Sequence, residues 1–178
     1  MSNLKNLRCY FSYPIEYSNQ ENELSEAKKK LSDFFNQTSV TLIDPKNISS
    51  KGISEIDLTI LRDRHNYEEV RRIMKAIVRK DLRAVDLSDF IVAFLPVQIK
   101  TTGTTHEIIQ ADDQKKPTLL ICPSGIQDIP AWFFGIIPLE YMFSSVEDAI
   151  EYLKSIDSID LNEIRDDRWQ FIIQSLRS

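Results

Sequence analysis

The stretch "FIVAFLP" at residues 90–96 decides the fold class, because it is an unbroken run of apolar residues closed by a proline. A strand with one face in solvent would show a polar residue at every second position. An unbroken run instead indicates a strand that is buried on both faces, as in parallel sheets covered by helices on both sides. A second run of this kind is "PTLLICP" at residues 117–123.

Strand-like and helix-like patterns alternate around these two runs. Further strands are predicted at residues 7–13, 39–45 and 141–143, and helices at about 18–35, 67–85, 104–114, 145–154 and 160–176. The polar stretch 46–66 is predicted to be a long loop or lid, with a possible short helix near residues 56–61. Alternation of this kind predicts a doubly wound α/β sandwich of about five mostly parallel strands, with helices on both faces.

Length and charge restrict the possible partners. The 178 residues, of which 42% are hydrophobic, suffice for one domain with its own core, so we expect residues 1–178 to form a single domain. The formal net charge of −5 gives no basic field for a polyanion, and we therefore expect no nucleic acid partner. A local cluster of side chains can still bind a small charged ligand.

The expected location is the cytoplasm. Cys9 and Cys122 both lie in strand-like apolar segments, which suits buried free thiols in a reducing compartment. No secretory signal opens the sequence, and no apolar run approaches the roughly 20 residues that span a bilayer. We therefore expect neither secretion nor a membrane partner.

Glu107 has two possible roles. In doubly wound sheets, ligands bind beyond the carboxyl ends of the strands, which here nominates the loops after residues 13, 45, 95 and 122. Glu107 lies after the third of these, in "TTGTTHEIIQADDQKKP" (101–117). The pattern Thr104 to Glu107 fits a capping box. A first-turn glutamate would also point into the crevice, where the helix dipole favours the ionised form that a nucleophile needs.

Asp81 is a second candidate for chemistry. It falls inside the apolar stripe of the helix predicted from Tyr67 to Val85. A carboxylate at a core-facing position is costly unless it has partners or a function. The alternative is that the helix breaks near Lys80 and that Asp81 caps the following piece.

Four ordered motifs resemble the nucleoside 2-deoxyribosyltransferase superfamily, which includes related nucleotide N-glycosidases. They are "CYFSYP" (9–14), "DLRAVDLSDFIVAFLP" (81–96), "GTTHEI" (103–108) and "KKPTLLI" (115–121). The resemblance covers about residues 7–122 and implies a flavodoxin-like sheet. It also implies an enzyme that cleaves or exchanges the N-glycosidic bond of a (deoxy)nucleoside or nucleoside 5′-monophosphate.

The resemblance assigns roles to particular residues. Glu107 matches the glutamate that attacks the anomeric carbon and forms a glycosyl-enzyme, and Asp81 matches the aspartate that handles proton transfer at the base. This is the two-carboxylate logic of retaining glycosidases. The remaining expected site residues are substrate-binding ones: Tyr10, Ser12, Tyr13, Thr101, Thr102, Gly103 and Thr104.

One departure from the family pattern bears on the substrate. Transferases of the family usually carry an aspartate just before the glycine, where this sequence has Thr101 and Thr102. The nucleotide hydrolases place a hydroxyl residue in this loop to hold a 5′-phosphate, which Thr101, Thr102 or Thr104 could imitate. The substitution favours a nucleotide substrate and hydrolysis.

Other classes of function receive less support from the sequence. No spacing of His, Cys and carboxylate residues suggests a metal site, and no phosphate-binding glycine motif is present, so we expect neither a metal nor a cofactor. The alternatives are a non-catalytic nucleotide-binding or sensor domain and a NAD glycohydrolase-like enzyme. Because relatives in the superfamily are commonly oligomers, the resemblance also implies a homo-oligomer.

Overall fold

A computed structural model describes residues 2–14, 21–45, 55–96 and 102–175. Five parallel strands form one sheet in the order β2-β1-β3-β4-β5. The strands are β1 (Arg8–Ser12), β2 (Thr41–Ile43), β3 (Phe90–Phe94), β4 (Thr118–Ile121) and β5 (Met142–Phe143). This arrangement confirms the predicted flavodoxin-like α/β class.

Helices cover both faces of the sheet. The α-helices within the described residues are α1 (Glu21–Thr38), α2 (Glu55–Asp63), α3 (Tyr67–Leu87), α4 (Thr102–Asp113), α5 (Val146–Ser158) and α6 (Asp167–Ser175). Helix α1 packs beside α5, and α3 packs beside α4. No helix among the described residues is long and apolar enough to cross a membrane.

The stretch that predicts the fold lies at the centre of the sheet. Strand β3 pairs with β1 on one side and with β4 on the other, and all five of its residues are buried. The ring of Phe90 contacts Phe35 of α1 and Trp169 of α6, at centroid distances of 6.0 and 5.2 Å. An unbroken apolar run is therefore accounted for by burial on both faces.

Two predicted segments differ from the structure. Helix α2 occupies residues 55–63, so the possible short helix is present within the stretch predicted as a loop, while residues 46–54 lie outside the described ranges. The C-terminal helix begins at Asp167 instead of near residue 160. The reason is Asp166, whose Oδ1 accepts from the backbone N–H groups of Arg168 and Trp169 and so caps a new helix.

Candidate active site

A cavity of about 310 Å³ opens beyond the carboxyl ends of the strands. Strand β1 lies between β2 and β3, so the order of the strands reverses between β1 and β3. Ligands bind at such a point in doubly wound sheets. The lining residues are Tyr10, Tyr13, Pro14, Pro45, Met74, Ile77, Val78, Asp81, Leu82, Thr102, Gly103, Thr104, His106 and Glu107.

Glu107 is anchored to the first strand. The hydroxyl of Tyr10 donates to Glu107 Oε1 at 3.1 Å, and the hydroxyl of Ser12 donates to Oε2. Tyr10 and Ser12 are two residues apart on β1 and therefore lie on the same face of the strand. Because both carboxylate oxygens are engaged and the side chain is buried, the orientation of Glu107 is fixed by the sheet.

The predicted capping box does not form. Helix α4 begins at Thr102, so Thr104 lies inside the helix and Glu107 is in the second turn. The carboxylate of Glu107 contacts β1 instead of the start of its own helix. Glu107 therefore does not act as a cap, and the expectation that it occupies the first turn is wrong by about one turn.

Burial dominates the titration of Glu107. It raises the pKa from its ordinary value of 4.5 to about 7; the bond from Ser12 lowers it, the charge of Asp81 raises it and the bond from Tyr10 lowers it. Burial therefore opposes the ionised form that the helix dipole is predicted to favour. The dipole's influence falls off beyond the first turn, and desolvation is the larger effect.

Asp81 faces the same cavity from α3. This helix runs unbroken from Tyr67 to Leu87, so the alternative of a helix break near Lys80 is wrong. The carboxyl group is buried, and its Oδ1 has no hydrogen-bond partner within the described part of the chain. Burial raises the pKa of Asp81 from 3.8 to about 6, against a lowering effect of Lys80.

Asp81 influences the pKa of Glu107, and both carboxyl groups influence the pKa of a neighbouring phenol. The charge of Asp81 contributes to the raised pKa of Glu107. Burial, followed by the charges of Glu107 and Asp81, raises the pKa of Tyr10 far above its usual range. Tyr10 is therefore a hydrogen-bond donor at neutral pH and cannot act as a base.

Most of the other expected site residues also reach the cavity. Tyr13, Thr102, Gly103 and Thr104 line it, whereas Thr101 lies outside the described residues. Ser12 is fully buried and is not in the lining, so its hydroxyl is used to hold Glu107. Gly103 lies within α4, and a Cβ there would meet nothing within 4 Å.

Tyr13 is held by a charged pair behind the cavity wall. Its hydroxyl donates to Asp44 Oδ1 at 2.8 Å, and Asp44 Oδ2 lies 2.5 Å from Lys28 Nζ. The same ammonium lies 4.9 Å from the centroid of the Tyr13 ring. Asp44 and Lys28 therefore fix the ring of Tyr13. Local sequence patterns do not predict this pair, because Asp44 follows β2 and Lys28 lies on α1.

The apolar wall of the cavity was missed as part of the site. Met74, Ile77 and Val78 belong to the apolar stripe of α3, whose spacing predicts that it faces the core, yet Val78 is 40% exposed and all three line the cavity. Pro14 and Pro45 complete this wall. Both prolines follow strands, and ligands bind beyond the carboxyl ends of strands in doubly wound sheets. This position could have indicated that they line the cavity.

Unpartnered polar atoms concentrate in the cavity. Across the described ranges, Asp81 Oδ1 and Thr104 Oγ1 are the buried side-chain nitrogen or oxygen atoms without a hydrogen-bond partner. Both residues line the cavity. No group of three or more His, Cys, Asp or Glu side chains in the described segments could hold a metal ion.

A charged cluster and an aromatic cluster lie outside the cavity. Arg62, Arg64 and His65 are exposed and do not line the cavity, so they form a solvated charged face. In the segment after β4, Phe133 is buried in the core, whereas Trp132 is 74% exposed. The cavity lining contains none of these aromatic residues.

The solved structures that are similar to this chain include the following two. A 2-deoxyribosyltransferase from Bacillus psychrosaccharolyticus is 16% identical, with 82% of this chain and 91% of that chain covered and a TM-score of 0.57. A CMP N-glycosidase from Clostridium botulinum is 14% identical, with 83% and 98% covered and a TM-score of 0.48. No protein-family model matches the sequence, and no curated protein matches it.

The first of these structures shares the fold of this chain. Its name places it in the superfamily that the four sequence motifs resemble. A shared fold hosts many activities, so the functional argument depends on the residues of the cavity. The fold and the cavity together define a flavodoxin-like α/β protein with two buried carboxyl groups at its switch point.

Proposed function

We propose that this protein is an N-glycosidic-bond enzyme that acts on a (deoxy)nucleoside or nucleoside 5′-monophosphate. The observation that carries the proposal is the pair of buried carboxyl groups, Glu107 and Asp81, that face one cavity at the switch point of the sheet. Cleavage at an anomeric carbon needs one carboxylate that attacks and one carboxyl group that moves a proton. The known activities of structurally similar proteins are consistent with this chemistry.

Glu107 is assigned as the nucleophile. Its carboxylate attacks the anomeric carbon while the bond from that carbon to the base nitrogen breaks, and the bonding electrons leave with the base. The hydrogen bonds from Tyr10 and Ser12 support this assignment, because they hold the carboxylate and favour its charged form. Positive charge that develops at the anomeric carbon also favours the ionised form of Glu107 during the reaction.

Asp81 is assigned as the group that transfers a proton to the departing base. Asp81 lines the cavity, and its Oδ1 has no hydrogen-bond partner within the described residues. Water, or a second base, then attacks the anomeric carbon and breaks its bond to Glu107, and the proton of this incoming nucleophile passes to Asp81. The enzyme returns to its starting state after hydrolysis or base exchange.

The titration of the pair indicates where the shared proton has to move. With pKa values of about 6 for Asp81 and about 7 for Glu107, the two carboxyl groups together hold one proton between these pH values, and Glu107, the group with the higher pKa, holds more of it. The assigned roles require an ionised Glu107 and a protonated Asp81, so the proton has to pass from Glu107 to Asp81 when the substrate binds. Thr101 or Thr102 is the proposed contact for a 5′-phosphate of the substrate. The nucleotide hydrolases that the sequence resembles hold this phosphate with a hydroxyl residue in the same loop.

The proposal is tested by base release. The purified protein is incubated with nucleosides, nucleoside 5′-monophosphates and NAD, with and without an acceptor base, and free base is separated and quantified. We expect base release from at least one nucleoside or nucleotide, and its loss in Glu107→Gln. Binding of ligands without release of base would instead favour a sensor domain, and release of nicotinamide alone would favour a NAD glycohydrolase-like enzyme.

A further inference from the structure

Thr104 presents a buried hydroxyl group whose purpose the proposed chemistry does not explain. The residue is 2% exposed and lines the cavity, and its Oγ1 has no hydrogen-bond partner in the described part of the chain. The hydroxyl of a threonine within a helix commonly donates a hydrogen bond to a backbone carbonyl of the preceding turn. A buried hydroxyl without a partner costs free energy that a hydrogen bond from a ligand would recover.

The position of Thr104 restricts which part of a ligand can reach it. Thr104 and Glu107 are three residues apart on α4, so they lie on the same side of the helix with Cβ atoms roughly 5–6 Å apart. A group bound to Thr104 therefore lies next to the atom that Glu107 attacks. In a nucleoside, the groups next to the anomeric carbon belong to the sugar.

Charge restricts the ligand group further. A phosphate at Thr104 would lie close to the carboxylate of Glu107, where two negative charges repel each other strongly in a buried site. A sugar hydroxyl is neutral, and it both donates and accepts, as the threonine hydroxyl does. Thr102, which is exposed and one residue from Thr101, lies nearer the start of the helix and remains a candidate for a phosphate contact.

We propose that Thr104 binds a sugar hydroxyl, at C2′ or C3′, and so determines which pentoses the site accepts. This inference rests on the proposed function and deepens it by naming the recognised part of the substrate. The hydrogen bond forms between Thr104 Oγ1 and the sugar hydroxyl, and no other described side chain competes for that oxygen.

The test compares three substrates with one base, all as nucleosides or all as 5′-monophosphates according to which form releases base: a ribonucleoside, its 2′-deoxy form and its 2′,3′-dideoxy form. We expect Thr104→Val to lower kcat/KM by about five- to tenfold for substrates that carry the recognised hydroxyl, and this loss to shrink for substrates that lack it. A loss for the ribonucleoside alone assigns the C2′ hydroxyl, and a loss for the first two substrates assigns the C3′ hydroxyl. An equal change for all three substrates would overturn the proposal.

Two further measurements keep this test independent of folding and of turnover. Thr104→Ser retains the hydroxyl and should retain the wild-type substrate preference, while Thr104→Val should fold with an unchanged or higher Tm because it removes an unpartnered hydroxyl.

Dissociation constants measured with Glu107→Gln protein, with and without Thr104→Val, report recognition in the absence of catalysis. If the wild-type protein releases no base but the same pattern appears in these constants, the proposed function fails and the inference on Thr104 stands. Constants that do not distinguish the three sugars overturn it.

Discussion

The two ends of the α3–α4 helix pair differ in whether their polar side chains have hydrogen-bond or ion-pair partners. At the end near the amino termini of the strands, polar groups are paired. Asp86 of α3 accepts from Gln110 and from Gln114 at 2.7 Å each, and Asp112 of α4 lies 2.7 Å from Arg168. Every one of these contacts joins separate elements or helices, so this end of the pair serves stability.

At the cavity end, polar groups are buried at a cost. Asp81 Oδ1 and Thr104 Oγ1 lack partners in the described segments, and burial raises the pKa of both Asp81 and Glu107. Proteins retain such unfavourable groups where activity needs them. One helix pair therefore has an end where polar groups are paired and an end where Asp81 Oδ1 and Thr104 Oγ1 lack partners among the described residues.

The largest expected effect distinguishes Asp81 from Asp112. Asp81→Asn removes the proposed proton donor and should lower kcat for base release by about a hundredfold or more. Asp112→Asn breaks the ion pair with Arg168 and should leave kcat within about threefold of wild type. Base release by both variants, measured beside the wild-type protein, checks the expectation.

Stability provides the matched control for these two variants. Asp112→Asn should lower the free energy of unfolding by about 1 to 3 kcal/mol, because a mostly buried partner is left without its counter-charge. Asp81→Asn should raise stability at pH 8, where the buried carboxylate is ionised. If both variants lose stability and keep activity, the distinction between the two ends of the helix pair is wrong.

A second prediction concerns the pH dependence of stability at Glu107. The folded pKa of about 7 lies above the ordinary 4.5, so the folded state holds a proton that the unfolded chain releases. This contribution is fully present below pH 4.5 and is lost as pH rises toward 7 and above, at a cost of up to about 3 kcal/mol.

Glu107→Gln removes this titration while keeping the shape of the side chain. We expect the variant to be more stable than wild type by about 2 to 3 kcal/mol at pH 8 and nearly equal to it at pH 4. Denaturant unfolding at the two pH values measures the difference. A constant difference between the proteins across this range would show that Glu107 has an ordinary pKa.

The smallest expected effect tests how β1 holds Glu107. The hydrogen bond from Ser12 lowers the pKa of Glu107, so Ser12→Ala should move the acidic limb of the pH–rate profile to higher pH. The loss of kcat/KM should be severalfold near pH 6 and smaller near pH 7. Ser12→Thr keeps a hydroxyl, so its acidic limb should lie closer to the wild-type position than that of Ser12→Ala.

Ser88 supplies the control at the opposite end of the sheet. It is also buried and donates to the carbonyl of Val85 at 2.7 Å, but it does not contact the cavity. Ser88→Ala should lower Tm without moving the pH–rate profile. A shift of equal size in both variants would mean that Ser12 acts through general destabilisation.

Local patterns predicted the fold well because they report burial directly. The unbroken run at residues 90–96 indicates burial on both faces, which the structure shows. The rule that ligands bind beyond the carboxyl ends of the strands nominated four loops, and residues at the end of β1 line the cavity. Asp81 was found because a charge interrupts the apolar stripe of α3. Each of these signals lies within one element of the chain.

Features that depend on contacts between elements could not be predicted in this way. The start of α4 decides whether Glu107 caps its own helix or reaches β1, and a one-turn difference changed the answer. The apolar wall of the cavity looked like core, because a half-covered stripe and a fully buried stripe have the same spacing. The pair of Lys28 and Asp44 behind Tyr13 joins α1 to the end of β2 and left no mark on local sequence.

The central claim is that Glu107 forms a covalent bond to the sugar. Intact-mass analysis of protein quenched during turnover, followed by peptide mapping, tests it most directly. We expect the mass of one glycosyl group on the peptide that contains Glu107, and its absence in Glu107→Gln protein. Rapid base release by the wild-type protein, with no glycosyl adduct at any time and undiminished release in the variant, would contradict the account.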